Sequence, residues 1–249
     1  MPVRQTFKTI TTLFTRNAAL IAAGGMAIGA WSLLGQPAAA EQAVLLPAPA
    51  LEVPAAVSGP QTAVFAGGCF WGVQAVFQHT KGVHNAVSGY AGGDRETAKY
   101  SVIGSGRTGH AESVQVTFDP KQISYGKLLQ IYFGIAHDPT QLNRQGPDSG
   151  TQYRSAVFYA DDSQKQVAQA YVAQLDAAKV FPGKIVTQLT PLSSAVAFYP
   201  AEAYHQDYAT LNPRQPYIAR FDLPKIASLK RVMPDVYRET PVLVAGKAP

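Results

Sequence analysis

Cys69, the single cysteine of this 249-residue chain, is the side chain best suited to covalent chemistry. It follows Gly67 and Gly68, which interrupt an apolar run over residues 62–66 that is typical of a buried strand. Helical spacing of apolar residues begins just after it. A lone cysteine is more often a small buried side chain. Here, however, the position is the start of a helix, where free N–H groups and the helix dipole favour a thiolate, so we predict a nucleophile.

Glu112 is a candidate proton donor because of its phase in a predicted strand. It shares one strand face with Val114, Val116 and Phe118, all of them apolar. A carboxyl group on a buried apolar face loses hydration, which raises its pKa and lets it donate a proton near neutral pH. The alternative is that the strand end is exposed and Glu112 points to water.

Tyr100, Asp148 and Tyr153 are polar residues in or next to predicted loops, and the longest such loop spans residues 138–152. A phenol can donate a hydrogen bond to an oxygen that gains negative charge during a reaction. With twelve tyrosines in the chain, simple packing is the alternative for each of them.

Two histidines leave a different enzyme class open. His110 or His205 could act as a base for Cys69, as in a Cys–His hydrolase or transpeptidase. The five histidines are scattered and no second cysteine exists, so we expect no metal site. A non-enzymatic binding module with an aromatic pocket is a third possibility.

The predicted elements favour a layered domain. Strands and helices alternate without a regular βαβ repeat, so we expect an α/β or α+β fold in which helices pack on a mixed sheet. The predicted strands span residues 62–66, 113–118, 154–160 and 185–189, and the predicted helices start near 71 and 124 or span 161–179, 200–210 and 224–232.

The N-terminus has the order of a secretory signal peptide. Arg4, Lys8 and Arg16 precede an uncharged apolar stretch over residues 18–34, and small residues follow up to Ala40, where we expect cleavage. An uncleaved membrane anchor is the alternative. Export indicates a periplasmic location.

We therefore divide the chain into four parts: a signal peptide (1–40), a flexible Ala/Pro-rich leader (41–60), a folded domain (61–237) and a C-terminal tail (238–249). Removing the first part takes away three basic side chains and no acidic one, which lowers the net charge from +5 to +2. This balance argues against nucleic acid or an anionic membrane surface as a partner.

The segment Gly67-Gly68-Cys69-Phe70-Trp71-Gly72 resembles the nucleophile motif of the peptide methionine sulfoxide reductase A (MsrA) family. Further motifs of the family follow in its order and spacing, and the resemblance covers about residues 62–237. They occupy residues 88–93, 108–112, 137–140, 144–155 and 203–208.

The resemblance implies a two-layer α/β sandwich and the reduction of methionine-S-sulfoxide. Cys69 would attack the sulfoxide sulfur and become a sulfenic acid, while Glu112 protonates the oxygen. Tyr100 and Tyr153 would hydrogen-bond that oxygen, and Asp148 would help to position the substrate.

The resemblance also implies a substrate-binding set made of Phe70, Trp71 and His110. The two aromatic residues would form an apolar wall for the methyl group of the substrate. No bound cofactor or metal is implied.

Many relatives carry resolving cysteines, and this chain has none; Ile103 occupies a position where some relatives have one. The sulfenic acid must therefore be reduced by an external thiol: a thioredoxin-like protein, glutaredoxin with glutathione, or a dithiol. We expect the substrates to be oxidised proteins, peptides or free methionine-S-sulfoxide, and the protein to be a monomer.

The signal-peptide interpretation predicts that the exported protein begins at about Glu41. N-terminal sequencing of protein from the cell envelope measures this directly. A protein that keeps Met1 and resists alkaline extraction from membranes would support the anchor instead.

Overall fold

A mixed sheet forms the centre of the computed structural model, which describes residues 43–53 and 59–244. Within these residues the strands are β1 (Gln61–Gly67), β2 (Val83–Ala91), β3 (Ala111–Phe118), β4 (Arg144–Gln145), β5 (Asp148–Ser149), β6 (Ser155–Tyr159), β7 (Gln188–Pro191) and β8 (Phe198–Pro200). The α-helices are α1 (Phe70–Gln78), α2 (Tyr100–Ile103), α3 (Tyr125–Ile131), α4 (Asp162–Ala177), α5 (Tyr208–Leu211) and α6 (Leu223–Val232).

The six strands of the main sheet lie in the order β7-β6-β1-β3-β2-β8, and β4 and β5 form a separate short ribbon. Only the β6–β7 pair is parallel in the sheet as described. Side chains alternate along β1, so Phe65 contacts the main core while Val64 belongs to a smaller cluster on the opposite face. Helices α1, α3, α4 and α6 supply the main core, which confirms the predicted two-layer sandwich.

Two helices begin where the sequence predicted, near residue 124 and at residue 161, and each start has a side-chain cap. The side chain of Ser124 accepts a hydrogen bond from the backbone N–H of Lys127 at 3.0 Å and caps α3. Asp161 caps α4 in the same way through Gln164, at 2.9 Å. In both cases the cap satisfies an N–H group that has no partner within the helix.

The sequence interpretation differs from the structure at several elements. The strand predicted over 185–189 is β7, at Gln188–Pro191, and the short elements α2, β4, β5 and β8 were not predicted. The interpretation did not identify β2, a central strand whose regular alternation is interrupted by an irregularity between Val83 and Asn85. It also predicted one helix over 200–210, where the structure has a 3₁₀ turn and the short helix α5. Asp207 separates these two because its φ of 60° is left-handed and cannot continue a right-handed helix.

The leader differs from expectation in the part that is described, because residues 43–53 pack on the domain. Leu46 is 3% exposed and belongs to the main core. Its carbonyl accepts a hydrogen bond from Gln130 at 2.6 Å, and the Val44 N–H donates to Gly134 at 2.9 Å. Glu52 accepts hydrogen bonds from the first turn of α3. This stretch is therefore not a loose leader, since its apolar side chain and backbone polar groups have partners on α3 and the turn after it.

The predicted signal peptide over residues 1–40 lies outside the described residues. In the described part of the chain, no helix has the length and apolar character needed to cross a membrane. The C-terminal tail is described up to residue 244 and is held at the end of α1. Its Val242 and Arg238 N–H groups donate to the carbonyls of Gln78 and His79, at 3.0 Å and 2.8 Å.

Replacing Leu46 by alanine should destabilise the protein by about 2–5 kcal/mol, because it removes a buried side chain and leaves a cavity. Urea unfolding measures the change. Leu45→Ala is the matched control. Leu45 is the neighbouring residue and is 70% exposed, so its replacement should leave the free energy of unfolding almost unchanged. Equal stability of both variants would show that the leader does not contribute to the core.

Candidate active site

Cys69 lies in the turn between β1 and α1, where it is the N-cap residue of the helix with φ −55° and ψ 122°. The turn packs closely against His137 and Gln145. Gly68 has φ +87°, and a Cβ atom there would lie 2.5 Å from the Gln145 side chain. A Cβ atom on Gly67 would lie 2.8 Å from the ring of His137. Glycine is therefore required at both positions, at the first for conformation as well as for space.

A cavity of about 210 Å³ opens beside the Cys69 side chain. Seven of the eight predicted site residues line it. Two further residues of the lining, Gln215 and Tyr217, were not predicted. The complete lining consists of Cys69, Phe70, Trp71, Tyr100, Glu112, Asp148, Tyr153, Gln215 and Tyr217.

Glu112 is buried, at 3% exposure, which rules out the alternative that it points to water. Its Oε2 accepts a hydrogen bond from the backbone N–H of Phe70 at 3.0 Å, within the first turn of α1. Burial raises the pKa of Glu112 to about 8, and nearby Asp148 and Asp222 act in the same direction, while the Phe70 N–H opposes them. The carboxyl group is therefore protonated at neutral pH and can act as an acid.

The Cys69 thiol is in a less favourable place for ionisation than the sequence predicted. The backbone N–H of Trp71, in the first turn of α1, lowers the thiol pKa, as expected at a helix N-terminus. Burial has the larger effect and raises the pKa well above its usual value, and Glu112 and Asp222 raise it further. Cys69 is therefore a thiol in the resting site. The predicted preference for a thiolate accounts only for the effect of the backbone N–H groups on the thiol pKa, and burial outweighs that effect.

Two phenols face the cavity from different elements. Tyr100 begins α2, where its N–H donates to Glu202 at 3.0 Å, and its side chain is 40% exposed at the rim. Tyr153 ends the 3₁₀ turn Thr151–Tyr153 just before β6. Burial raises the pKa of both phenols, so both stay protonated and remain hydrogen-bond donors.

Asp148, in β5, accepts a hydrogen bond from the Tyr217 hydroxyl. Burial raises the pKa of Asp148, although Tyr217 and Lys225 act in the opposite direction. No pattern in the sequence distinguishes Tyr217 from the other eleven tyrosines of the chain. It lies in the site because the segment before α6 folds next to the cavity.

Phe70 and Trp71 line the cavity beside Cys69. The Trp71 ring stacks on Tyr208, with centroids 4.1 Å apart, and meets Tyr217 edge-on at 6.3 Å. Because aromatic neighbours hold this ring on two sides, the wall has a defined position.

Neither histidine considered as a base lines the cavity as described. His110 is 1% exposed, and its Nε2 lies 2.9 Å from the Asp94 carbonyl oxygen. Its ring packs edge-on against Tyr90 and Tyr199. The expectation that His110 belongs to the substrate-binding set is therefore wrong, because it does not line the cavity. His205 packs behind the cavity wall, with its ring centroid 4.3 Å from that of Tyr100.

The motif over residues 203–208 has a different use, which the sequence analysis did not identify. The Gln206 amide bonds to Gln74 of α1 at 2.8 Å and to the Ser88 backbone of β2. Asp207 accepts a hydrogen bond from Gln78 at 2.6 Å. All four side chains are buried, so this network anchors the rear of α1.

A thiol, a protonated carboxyl group and two phenols thus surround one cavity that has an apolar wall. The arrangement allows a sulfur nucleophile to attack an atom whose oxygen substituent is protonated and hydrogen-bonded at the same time. A hydrolase would need a base at Cys69, and the two histidines considered for that role are elsewhere.

The family model described as peptide methionine sulfoxide reductase matches residues 61–235 of this chain. Peptide methionine sulfoxide reductase MsrA 2 of Mesorhizobium japonicum is 61% identical over 189 residues, which cover 76% of this chain and 95% of the relative. The protein of the same name from Synechocystis is 45% identical over 214 residues, or 85% and 97% of the two chains.

Solved structures agree with these relatives. Reduced Mxr1 of Saccharomyces cerevisiae superposes with a TM-score of 0.56 at 34% identity, covering 63% of this chain and 87% of that one. Methionine sulfoxide reductase A of Corynebacterium diphtheriae also gives 0.56, at 33% identity, covering 72% and 91%. Sequence, fold and cavity together show that the chain belongs to the peptide methionine sulfoxide reductase family.

Proposed function

We propose that this reductase of peptide methionine-S-sulfoxide uses Cys69 as its nucleophile and Glu112 as its acid. The observation that carries the proposal is the position of Glu112: it is buried, bonded to the Phe70 N–H and lines the same cavity as Cys69. A sulfoxide is a poor electrophile until its oxygen gains a proton. A neutral carboxyl group beside the sulfur nucleophile meets that need.

The reaction balances as an oxygen-atom transfer. Cys69 sulfur attacks the sulfoxide sulfur, Glu112 gives its proton to the oxygen, and the thiol proton returns to Glu112. The sulfur–oxygen bond of the substrate and the newly formed sulfur–sulfur bond then break as the oxygen bonds to the Cys69 sulfur, so that methionine leaves and Cys69 carries the oxygen as a sulfenic acid. The methionine sulfur is reduced by two electrons and the cysteine sulfur is oxidised by two.

The residues around the cavity support the remaining roles. Tyr100 and Tyr153 are protonated donors for the sulfoxide oxygen, and Phe70 with Trp71 receives the methyl group. The Cys69 sulfur, the phenols that bind the sulfoxide oxygen and the aromatic wall for the methyl group are different groups of the cavity. Only one sulfoxide epimer presents its sulfur, oxygen and methyl group to all three at once. Asp148, linked to Tyr217, positions the rest of the substrate.

We further propose that an external thiol completes the cycle, since the chain holds no second cysteine that could form an internal disulfide. Its reductant is a thioredoxin-like protein, glutaredoxin with glutathione, or a dithiol. The basic, apolar and small-residue order of the N-terminus supports export to the periplasm. We also propose that the protein acts as a monomer.

Glu112→Gln should slow the chemical step roughly a hundred- to ten-thousand-fold, because the amide keeps its shape but cannot give up a proton. The deficit should shrink at low pH, where solvent supplies the proton. In the wild type, the rate should fall as pH rises above about 8, since the acid form of Glu112 is lost there. Single-turnover rates across pH measure both effects.

Glu239→Gln is the control for Glu112→Gln, because Glu239 is an exposed partner of Lys230 on the surface. It should leave the rate and its pH profile unchanged. A Glu112→Gln rate equal to that of the wild type across pH would exclude the acid role.

Without added thiol, the protein should release one methionine per chain and stop. Mass spectrometry should then find one added oxygen on Cys69, and dimedone should react with it, because no internal thiol can reduce the sulfenic acid. Later turnovers should depend on thiol concentration, as expected for a second-order step. Cys69→Ser is the control and should release none. Two methionines per chain without thiol would contradict the single-cysteine cycle.

A further inference from the structure

Tyr100 is the most exposed of the residues that line the cavity, at 40% exposure, and its own helix holds it only weakly. It begins α2, a helix of four residues in which only Ile103 is buried. The residue before the helix, Lys99, provides no side-chain cap. An isolated helix of this length is unstable in water. Another segment must therefore hold the phenol at the cavity.

Glu202, which lies shortly after β8, provides the cap that α2 lacks. Its Oε1 accepts a hydrogen bond from the backbone N–H of Tyr100 at 3.0 Å. This N–H belongs to the first turn of the helix and has no partner within it, so the bond stabilises the helix start. Partial burial raises the pKa of Glu202, but the hydrogen bonds that it accepts outweigh this effect and lower the pKa overall, so the group is a carboxylate at neutral pH.

A buried phenol fixes the other oxygen of Glu202. The Tyr90 hydroxyl donates a hydrogen bond to Oε2 at 2.7 Å. Tyr90 is 0% exposed and lies directly opposite Glu112 in the β2–β3 register, so the two side chains share one face of the sheet. Glu202 is thus tied to the part of the sheet that carries the proposed acid, and Tyr100 is tied to Glu202.

The 3₁₀ turn Ala203–His205, which follows Glu202, also contacts the ring of Tyr100. His205 is 2% exposed, and its ring centroid lies 4.3 Å from that of Tyr100. Its backbone N–H donates a hydrogen bond to the Glu202 carbonyl oxygen at 2.9 Å. The backbone and the ring of Tyr100 are therefore both held by one short segment, which Glu202 joins to β2.

We propose that Glu202 is a positioning residue for sulfoxide reduction, which holds Tyr100 at the cavity so that its phenol can donate a hydrogen bond to the sulfoxide oxygen. The proposal rests on the proposed function, and within it on the role of Tyr100. Glu202 is not among the residues that line the described cavity, so its effect on the reaction acts through Tyr100. Loss of Glu202 should leave Tyr153 and Glu112 in place, since these come from other elements.

The test is a double-mutant cycle between Glu202 and Tyr100, measured as the single-turnover rate at a saturating concentration of a methionine-S-sulfoxide peptide. Tyr100→Phe should slow the chemical step about ten- to a hundredfold, because Tyr153 and Glu112 still serve the sulfoxide oxygen. Glu202→Ala should slow it about tenfold, and by no more than Tyr100→Phe does. Added to Tyr100→Phe, Glu202→Ala should change the rate by less than about twofold, whereas added to Tyr153→Phe it should keep at least its full effect.

Glu96→Ala is the matched control, because Glu96 is an exposed glutamate in the 3₁₀ turn Arg95–Thr97 just before α2, and it should leave the rate unchanged. Glu202→Gln keeps an acceptor oxygen for the Tyr100 N–H and should restore most of the rate. Hydrogen exchange of the Tyr100 amide should be faster in Glu202→Ala but not in Glu96→Ala, and this measurement does not depend on turnover. If Glu202→Ala does not fold, Glu202→Asp replaces it in the cycle, since its shorter side chain draws the carboxylate back from that N–H.

Three results would overturn the proposal alone: a Glu202→Ala rate equal to that of the wild type, unchanged exchange of the Tyr100 amide, or effects of Glu202→Ala and Tyr100→Phe that multiply. A Tyr100→Phe variant as fast as the wild type would instead reject the proposed role of the phenol, and with it the inference that rests on this role. A slow Tyr100→Phe variant to which Glu202→Ala adds nothing supports both.

Discussion

The hydrogen bond from the Phe70 backbone N–H to Glu112 joins the two elements on which the site depends, the first turn of α1 and the strand β3. It places a carboxyl group from the sheet beside the cysteine that caps the helix. Burial on the apolar face of β3 keeps that carboxyl group protonated, with a pKa of about 8. The acid and the nucleophile are thus positioned by the packing of one helix on one sheet.

This arrangement requires α1 to be held firmly, because a shift of its first turn would separate Cys69 from Glu112. The amide network of Gln74 and Gln206 ties the helix to β2, and Asp207 holds its C-terminal end. These polar side chains are buried and hydrogen-bonded to one another, so they define one position of the helix more sharply than apolar contacts would. The reactive turn is anchored from behind, while its front stays open to the cavity.

The sequence by itself determined the local features. The glycine pair before Cys69 predicted the turn from strand to helix, and period-two alternation predicted that Glu112 lies on an apolar strand face. Both predictions are confirmed, because hydrogen-bond geometry within a few residues decides them. The helix starts near residue 124 and at residue 161 were predicted for the same reason.

Tertiary structure alone decided how these pieces meet. Tyr217 reaches Asp148 across 69 positions of sequence, and Asp222 reaches the first turn of α1, which no local pattern encodes. The resting proton on Cys69 is a consequence of the same convergence. The helix N-terminus favours a thiolate locally, but burial and the carboxylates brought in by distant segments outweigh it. Charge and desolvation depend on every neighbour in space, whereas secondary structure depends mainly on neighbours along the chain.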